Sequence, residues 1–355
     1  MKRINRPRHR WSKLVALLIG VILLGVLIFG LFTYRTNYYA EEPGIPVPAK
    51  AYVTVSGERD RQPGTFLLMT VHTRGPLTLA QALQAKMQPY TELFQQKKAE
   101  WRAEQMGNWI DAQMATASAE QAAFKLAKKP VSAQYMGLWV RSVAKNSPFH
   151  GLLQAGDTIT QVDGKHYATA KAYLQAMRAH QDGAGMTLSG VQVAEPNPIT
   201  VNIKVSRSGA AHDFGLGYGD HVTAATSPNV AIDTGNIGGP SIGLICALQV
   251  YEEITGKQLR HGQQIAGTGT IDAEGKVGAI GAVDKKVAAA VKKGAKVFLV
   301  PDAPATKALL KADPGYINNA TLAKRTAKAL KTKMKIVPVK SLREAVDYLQ
   351  THQVN

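Results

Sequence analysis

The sequence predicts a mixed α/β (α+β) fold with a mainly β module in its middle, behind a single N-terminal transmembrane helix. Three observations carry this. Residues 14–32 are apolar or glycine without a break. Residues 135–205 are dense in short strand patterns and turn signals. From residue 236 onward, helix-period segments alternate with short apolar runs, the layout of helices feeding strands. A chain of 355 residues has room for two or three domains.

Residues 1–13 form a basic tail. The apolar run that follows is 19 residues long, and at about 1.5 Å per residue it spans roughly the 30 Å of bilayer hydrocarbon. Basic residues before it and Glu41 and Glu42 after it orient a membrane anchor over 14–34, with the N-terminus cytoplasmic and the rest outside the cell membrane. A cleaved signal peptide has a similar layout, but the run is long for one and Thr33-Tyr34-Arg35 is a poor cleavage site. Residues 35–49, with the stiff Pro43–Pro48 stretch PGIPVP, read as a linker. Thr65–His72 is a β-branched and apolar run bounded by Gly64 and Gly75, hence one buried strand. Leu77–Lys129 reads as helical, with Ala115, Ala119, Ala122 and Leu126 on one small-residue face.

The β-rich block begins with a strand at Tyr135–Val143. A short helix, a turn and a strand follow, closing on an Asp163-Gly164 hairpin turn. Thr169 caps a helix to His180, and Ile199–Val205 alternates as a strand. In the last part, the helix after Ser241 stops at Gly256. Thr268–Asp272 and Gly275–Ile280 are strands, Val283–Lys293 is a helix ended by Gly294, and Lys296–Val300 is a buried strand. Lys335–Val339 and Leu342–Leu349 add a strand and a helix.

Composition excludes several classes. The net charge of +18 raises nucleic acid as a partner, but no zinc-finger spacing, RNP motif or basic–aromatic stripe accompanies it. A basic surface beside anionic lipid or polymer is the simpler account. One cysteine, Cys246, excludes an internal disulfide and falls inside an apolar helix, as a buried thiol would. The nine histidines form no metal-ligand spacing, so neither metal nor cofactor is expected, and no G-x-x-x-x-G-K-[ST] loop encodes an ATP motor.

Two residues suggest chemistry. Gly238, Gly239 and Pro240 deliver Ser241 to a helix start, where backbone N–H groups and the positive end of the helix dipole favour a developing oxyanion. Gly239, Pro240 and Ile242 are the candidate oxyanion and positioning residues. For the tetrapeptide alone, a helix-entry turn with a capping serine is the better account. What tips the balance is Lys286, because a desolvated lysine can take a serine's proton. Lys286 has Val283 and Ala290 beside it on the apolar face, whereas Lys285 sits further round and reads as solvated. The S-x-x-K match at Ser142–Lys145 lacks companion motifs and falls on a strand.

The block from Gly137 to Gly164 resembles a bacterial PDZ domain, through Leu153, Gly156, Asp157, Ile159, Val162, Asp163 and Gly164. That resemblance implies peptide binding by strand addition at Tyr135, Met136, Gly137, Leu138, Trp139 and Val140. The segments G-P-S-x-G (Gly239–Gly243), Ala266-Gly267-Thr268-Gly269 and Gly281–Lys286 resemble the proteolytic domain of Lon proteases. The match is greatest to the membrane-anchored, PDZ-containing relatives in Gram-positive bacteria. It implies a serine endopeptidase with a Ser241–Lys286 dyad, Thr268 orienting the lysine, and ATP-independent action on exported or membrane-tethered peptides. It also implies that 50–128 begins the protease fold, that a PDZ domain over 129–206 is inserted into it, and that 207–355 is the catalytic part. Lon-type domains tend towards rings, so a homo-oligomer is in keeping with the family. The reading from another class is a silent scaffold that only holds peptides in the PDZ groove.

Overall fold

The computed structural model describes residues 8–352 except 182, 194–197 and 205–213. Two compact units emerge. One is built from the chain up to Pro43 together with His72–Lys98, the other from Gly44–Val71 together with the chain from Ala99 onward.

In the first unit, the helix Arg8–Thr33 includes a stretch of 21 residues, Lys13–Thr33, long and apolar enough to cross a membrane. Its large apolar side chains face outward, Leu17 and Phe29 at 66% and 68% exposure. Tyr38–Pro43 is the middle strand of a three-stranded sheet, between Val71–Arg74 and Glu92–Gln95. The helix Leu79–Met87 starts on a capping box formed by Thr78 and Gln81. Its Ala82 and Ala85 pack with Ala40 and Leu77 in a small core of their own.

The second unit holds a parallel sheet in the order Lys335–Val339, Val297–Pro301, Gln264–Gly267, Thr65–Leu68, with Val47–Pro48 antiparallel on the edge. Both faces are covered, so these strands are continuously apolar, and alternate residues serve opposite cores. Phe66, Leu68, Ile265, Val297 and Leu299 pack against the helix Gly243–Thr255 and the alanines of the long helix Lys98–Leu126. Leu67, Ala266, Phe298 and Val300 pack on the other side against Val283, Val287, Ala320 and Ala323, from the helices Val283–Lys293 and Asn319–Ala329.

A separate five-stranded antiparallel sheet runs Pro198–Lys204, Gly185–Val191, Thr158–Val162, Val131–Val143, Leu216–Thr226. With the helix Ala170–Arg178, capped by Thr169, it encloses a core of its own around Leu138, Val140, Phe149 and Ile159. Asp163 and Gly164 both have positive φ, 49° and 75°, as a two-residue hairpin turn with matching twist demands.

Several expectations are corrected. Residues 35–49 are not simply a linker, because Tyr38–Pro43 is the central strand of a sheet and buries Tyr39 and Ala40. The expected strand Thr65–His72 is two: the chain leaves the parallel sheet after Leu68 and enters the other sheet at Val71. The helical reading of Leu77–Lys129 is interrupted by the strand Glu92–Gln95. His72–Lys98 therefore clusters with the N-terminal unit and not with the parallel sheet, since Leu77, Ala82 and Ala85 bury against Ala40. Between Ser147 and Gly156 the chain forms turns instead of a short helix. The strand Leu216–Thr226 pairs with Val131–Val143 along its length, so the β module extends well past residue 206. Residues 1–7 of the basic tail, the boundary at 206/207 and Val205 lie outside the described residues.

Candidate active site

Ser241 stands in a single tight turn, Pro240–Ile242, that runs directly into the helix Gly243–Thr255. Gly239 precedes it at φ +88°, a conformation that a side chain would strain. Gly243 serves a different purpose: a Cβ there would lie 2.8 Å from Ile271 Cγ2, so glycine lets the helix start against the strand Thr270–Ile271. Ile242, Leu244 and Ile245 are buried in the main core and anchor this turn from below.

Lys286 comes from the first turn of the opposite helix and meets the serine across the end of the parallel sheet. Its Nζ donates to Ser241 Oγ at 2.9 Å and to Thr268 Oγ1 at 3.4 Å. Thr268 follows the strand Gln264–Gly267, where its N–H donates to the Leu299 carbonyl at 3.0 Å. Its Oγ1 in turn donates to the Ser241 carbonyl at 3.2 Å, which also accepts the Gly269 N–H at 2.9 Å. Lys286 is 4% exposed and Thr268 fully buried, while Ser241 keeps a partly open face. Burial disfavours a charged ammonium, so a lysine placed in this way against a hydroxyl can exchange a proton with it.

Two supports were not visible in the sequence. Asn319, 2% exposed, accepts the Ile280 N–H and donates to the Ile280 carbonyl, both at 2.9 Å, and so clamps the segment leading into the Lys286 helix. Asn108, on the long helix, offers its carbonyl to the Gly239 N–H at 2.6 Å and holds the nucleophile turn from the other side. The Asn108 contact is made by backbone, which leaves no compositional mark. Asn319 had no signal either, because no helix was assigned there.

The remaining candidates sort by geometry. Of the proposed oxyanion and positioning residues, Pro240 has no N–H and the Gly239 N–H is already given to Asn108, so both shape the turn and do not donate from it. Lys285 is not solvated. It is 4% exposed, with Nζ 4.0 Å from Asp284, because its helix is covered by the unassigned helix Asn319–Ala329 as well as by the sheet. Burial, then the nearby Glu120, push the Cys246 thiol up to about 12, which leaves it inert as a nucleophile. Within the Tyr135–Val140 segment, Leu216–Thr226 pairs along one side, while on the other side strand pairing is made at Leu138 and Trp139, with Ile159 and Thr158.

A serine on a glycine-shaped helix entry, a buried lysine on the facing helix and a threonine bonded to both thus meet at one end of an α/β sheet. Residues 221–350 match the Lon protease (S16) C-terminal proteolytic domain. No curated protein matches the chain. Among solved structures, the PDZ domain of an SdrC-like protein from Listeria monocytogenes is 21% identical, covering 25% of this chain and 90% of its own, at a TM-score of 0.21. The corresponding domain from Listeria innocua is 22% identical, covering 24% of this chain and 92% of its own, at a TM-score of 0.19. Beside the segment that matches this family model, the chain has a separate five-stranded antiparallel sheet and a long apolar N-terminal helix.

Proposed function

We propose that the protein is an ATP-independent serine endopeptidase, anchored in the cell membrane with its N-terminus cytoplasmic, that uses a Ser241–Lys286 dyad. The observation carrying this reading is the 2.9 Å contact between a buried lysine amine and a partly open serine hydroxyl. Ser241 Oγ attacks the scissile carbonyl while Lys286 takes its proton. Lys286 then gives that proton to the leaving amine, the peptide bond breaks, and an acyl-enzyme remains. Water enters, Lys286 again acts as base, and the acid product leaves. Thr268 holds the amine toward the serine throughout. Substrates are exported or membrane-tethered peptides, or proteins with flexible segments, since the sequence encodes no ATP motor to unfold them. Recruitment by strand addition to the PDZ-like sheet uses Leu216–Thr226, whose outer edge carries no partner strand among the described residues.

The test compares the full chain in detergent, wild type against Ser241→Ala, on a library of unstructured peptides without ATP, with products read by mass spectrometry. Cleavage by wild type alone supports the assignment. Equal cleavage by both, or by neither, overturns it.

A further inference from the structure

Along the strand Val131–Val143, Leu138 and Val140 point into the core of the PDZ-like module, whereas Trp139 and Arg141 turn to the opposite face of the sheet. There they meet the long helix. Arg141 Nη2 pairs with Asp111 Oδ1 at 2.5 Å, and the Trp139 ring meets Trp109 edge-on, with centroids 6.1 Å apart. Between helix and sheet this packing leaves a cavity of about 270 Å³. Its apolar walls are Trp109, Trp139, Met136, Val191 and Val193, with Met136 and Val191 at 43% and 38% exposure forming an open rim. No residue of the helix Ala170–Arg178 lines it, so it is separate from any groove beside that helix.

Several polar groups in its wall already have partners within the protein. Trp139 Nε1 donates to the Gly156 carbonyl at 2.9 Å, and Gln113 Nε2 to Thr234 Oγ1 at 3.0 Å. Thr160 Oγ1 donates to the Ser189 carbonyl at 3.3 Å, and Thr158 Oγ1 bonds His221 Nδ1 at 2.7 Å. His221 stacks on Trp139 at 4.0 Å, and burial pushes its pKa down to about 4, so it is neutral near pH 7. No Asp, Glu, Lys or Arg lines the cavity to pair with a charged guest. An uncharged ring finds two indole faces and a thioether. The size agrees, since a dry cavity of about 150 Å³ holds benzene, whereas whole small-molecule sites run from about 300 Å³ upward.

The cavity also has a route to the active site. Trp109 is the next residue after Asn108, whose carbonyl holds the Gly239 N–H of the nucleophile turn. We propose that this cavity is a subsite for one aromatic side chain of the peptide substrate, which it seats against the long helix whose Asn108 carbonyl holds the Ser241 turn. The proposal rests on the peptidase reading for the identity of the guest.

Binding is measured on the full-length Ser241→Ala chain in detergent, with two unstructured peptides that differ by a single Trp→Ala change. The Trp peptide is expected to bind about ten-fold tighter or more, and 5-fluoroindole, followed by fluorine NMR, to compete with it. Val191→Trp and Met136→Trp each place a ring in the cavity from its exposed rim, and each should abolish both the preference and the fluoroindole signal at an unchanged melting temperature. Equal binding of the two peptides, or fluoroindole binding that survives both variants, overturns the subsite. Ring-selective binding by a chain whose wild type cuts no peptide overturns the peptidase reading and leaves the ligand class standing. Cleavage without ring preference does the reverse.

Discussion

Glu120→Gln should make the protein more stable at neutral pH, although it adds no contact. Glu120 lies in the long helix at 8% exposure, and burial pushes its carboxyl from 4.5 up to about 8, with no cation offsetting the cost among the described residues. The folded protein therefore keeps a proton that the unfolded chain releases. Stability falls as pH rises from about 4.5 and levels off above about 8, because the folded state binds more protons throughout that window. A pH of 7 lies 2.5 units above the ordinary value of 4.5 that the group has in the unfolded chain. At about 1.4 kcal/mol per unit this is a cost of about 3 kcal/mol. His221, pushed down to about 4 by burial, has the opposite slope, with stability lost as pH falls below about 6.5, and it cancels when wild type and variant are compared. Urea unfolding of both proteins at pH 5, 6, 7 and 8, followed by tryptophan fluorescence, measures the difference. The gap should widen by up to about 1.4 kcal/mol per pH unit and close toward pH 5. Parallel curves across that range would refute the assignment of a neutral, buried Glu120.

Three further outcomes follow from the site and its supports. Lys286→Met should lower kcat by about 10³-fold or more, the scale of a lost general base. Lys285→Met should leave kcat within a few-fold and act on stability instead; equal losses in peptide turnover would refute the dyad. Asn319→Ala leaves the Ile280 N–H and carbonyl without their partner and should cost about 2 kcal/mol, with kcat reduced more than KM is changed, as peptide kinetics and a thermal melt would show. Arg260, whose side chain is 1% exposed, lies 2.5 Å from Asp60 Oδ2 and 2.7 Å from Glu252 Oε2. Arg260→Met strands two buried carboxylates and should cost about 3–5 kcal/mol, measured by urea unfolding at pH 7.

Local chemistry was legible in the sequence. Val283–Lys293, Lys335–Val339, the Thr169 cap and the Asp163-Gly164 turn came from periodicity, capping and turn residues, and the structure places them where those rules do. Ser241, Thr268 and Lys286 were picked out by spacing and family resemblance, and they meet within 3.4 Å. What tertiary structure alone decided is which neighbour each segment acquires. The strand Thr65–His72 read as one because its apolar run is continuous, yet its halves join different sheets. Tyr38–Pro43 looked like a linker because a short, proline-ended strand gains its stability from partners far along the chain. Lys285 looked solvated because a helix's own periodicity cannot report a second helix packed over it. That Leu138 and Trp139 are paired on both sides is likewise absent from the strand pattern, which carries no information about which side is paired. The same limit hid Asn108, since a backbone carbonyl that holds the nucleophile turn is identical in every residue and becomes specific only when the fold brings it there.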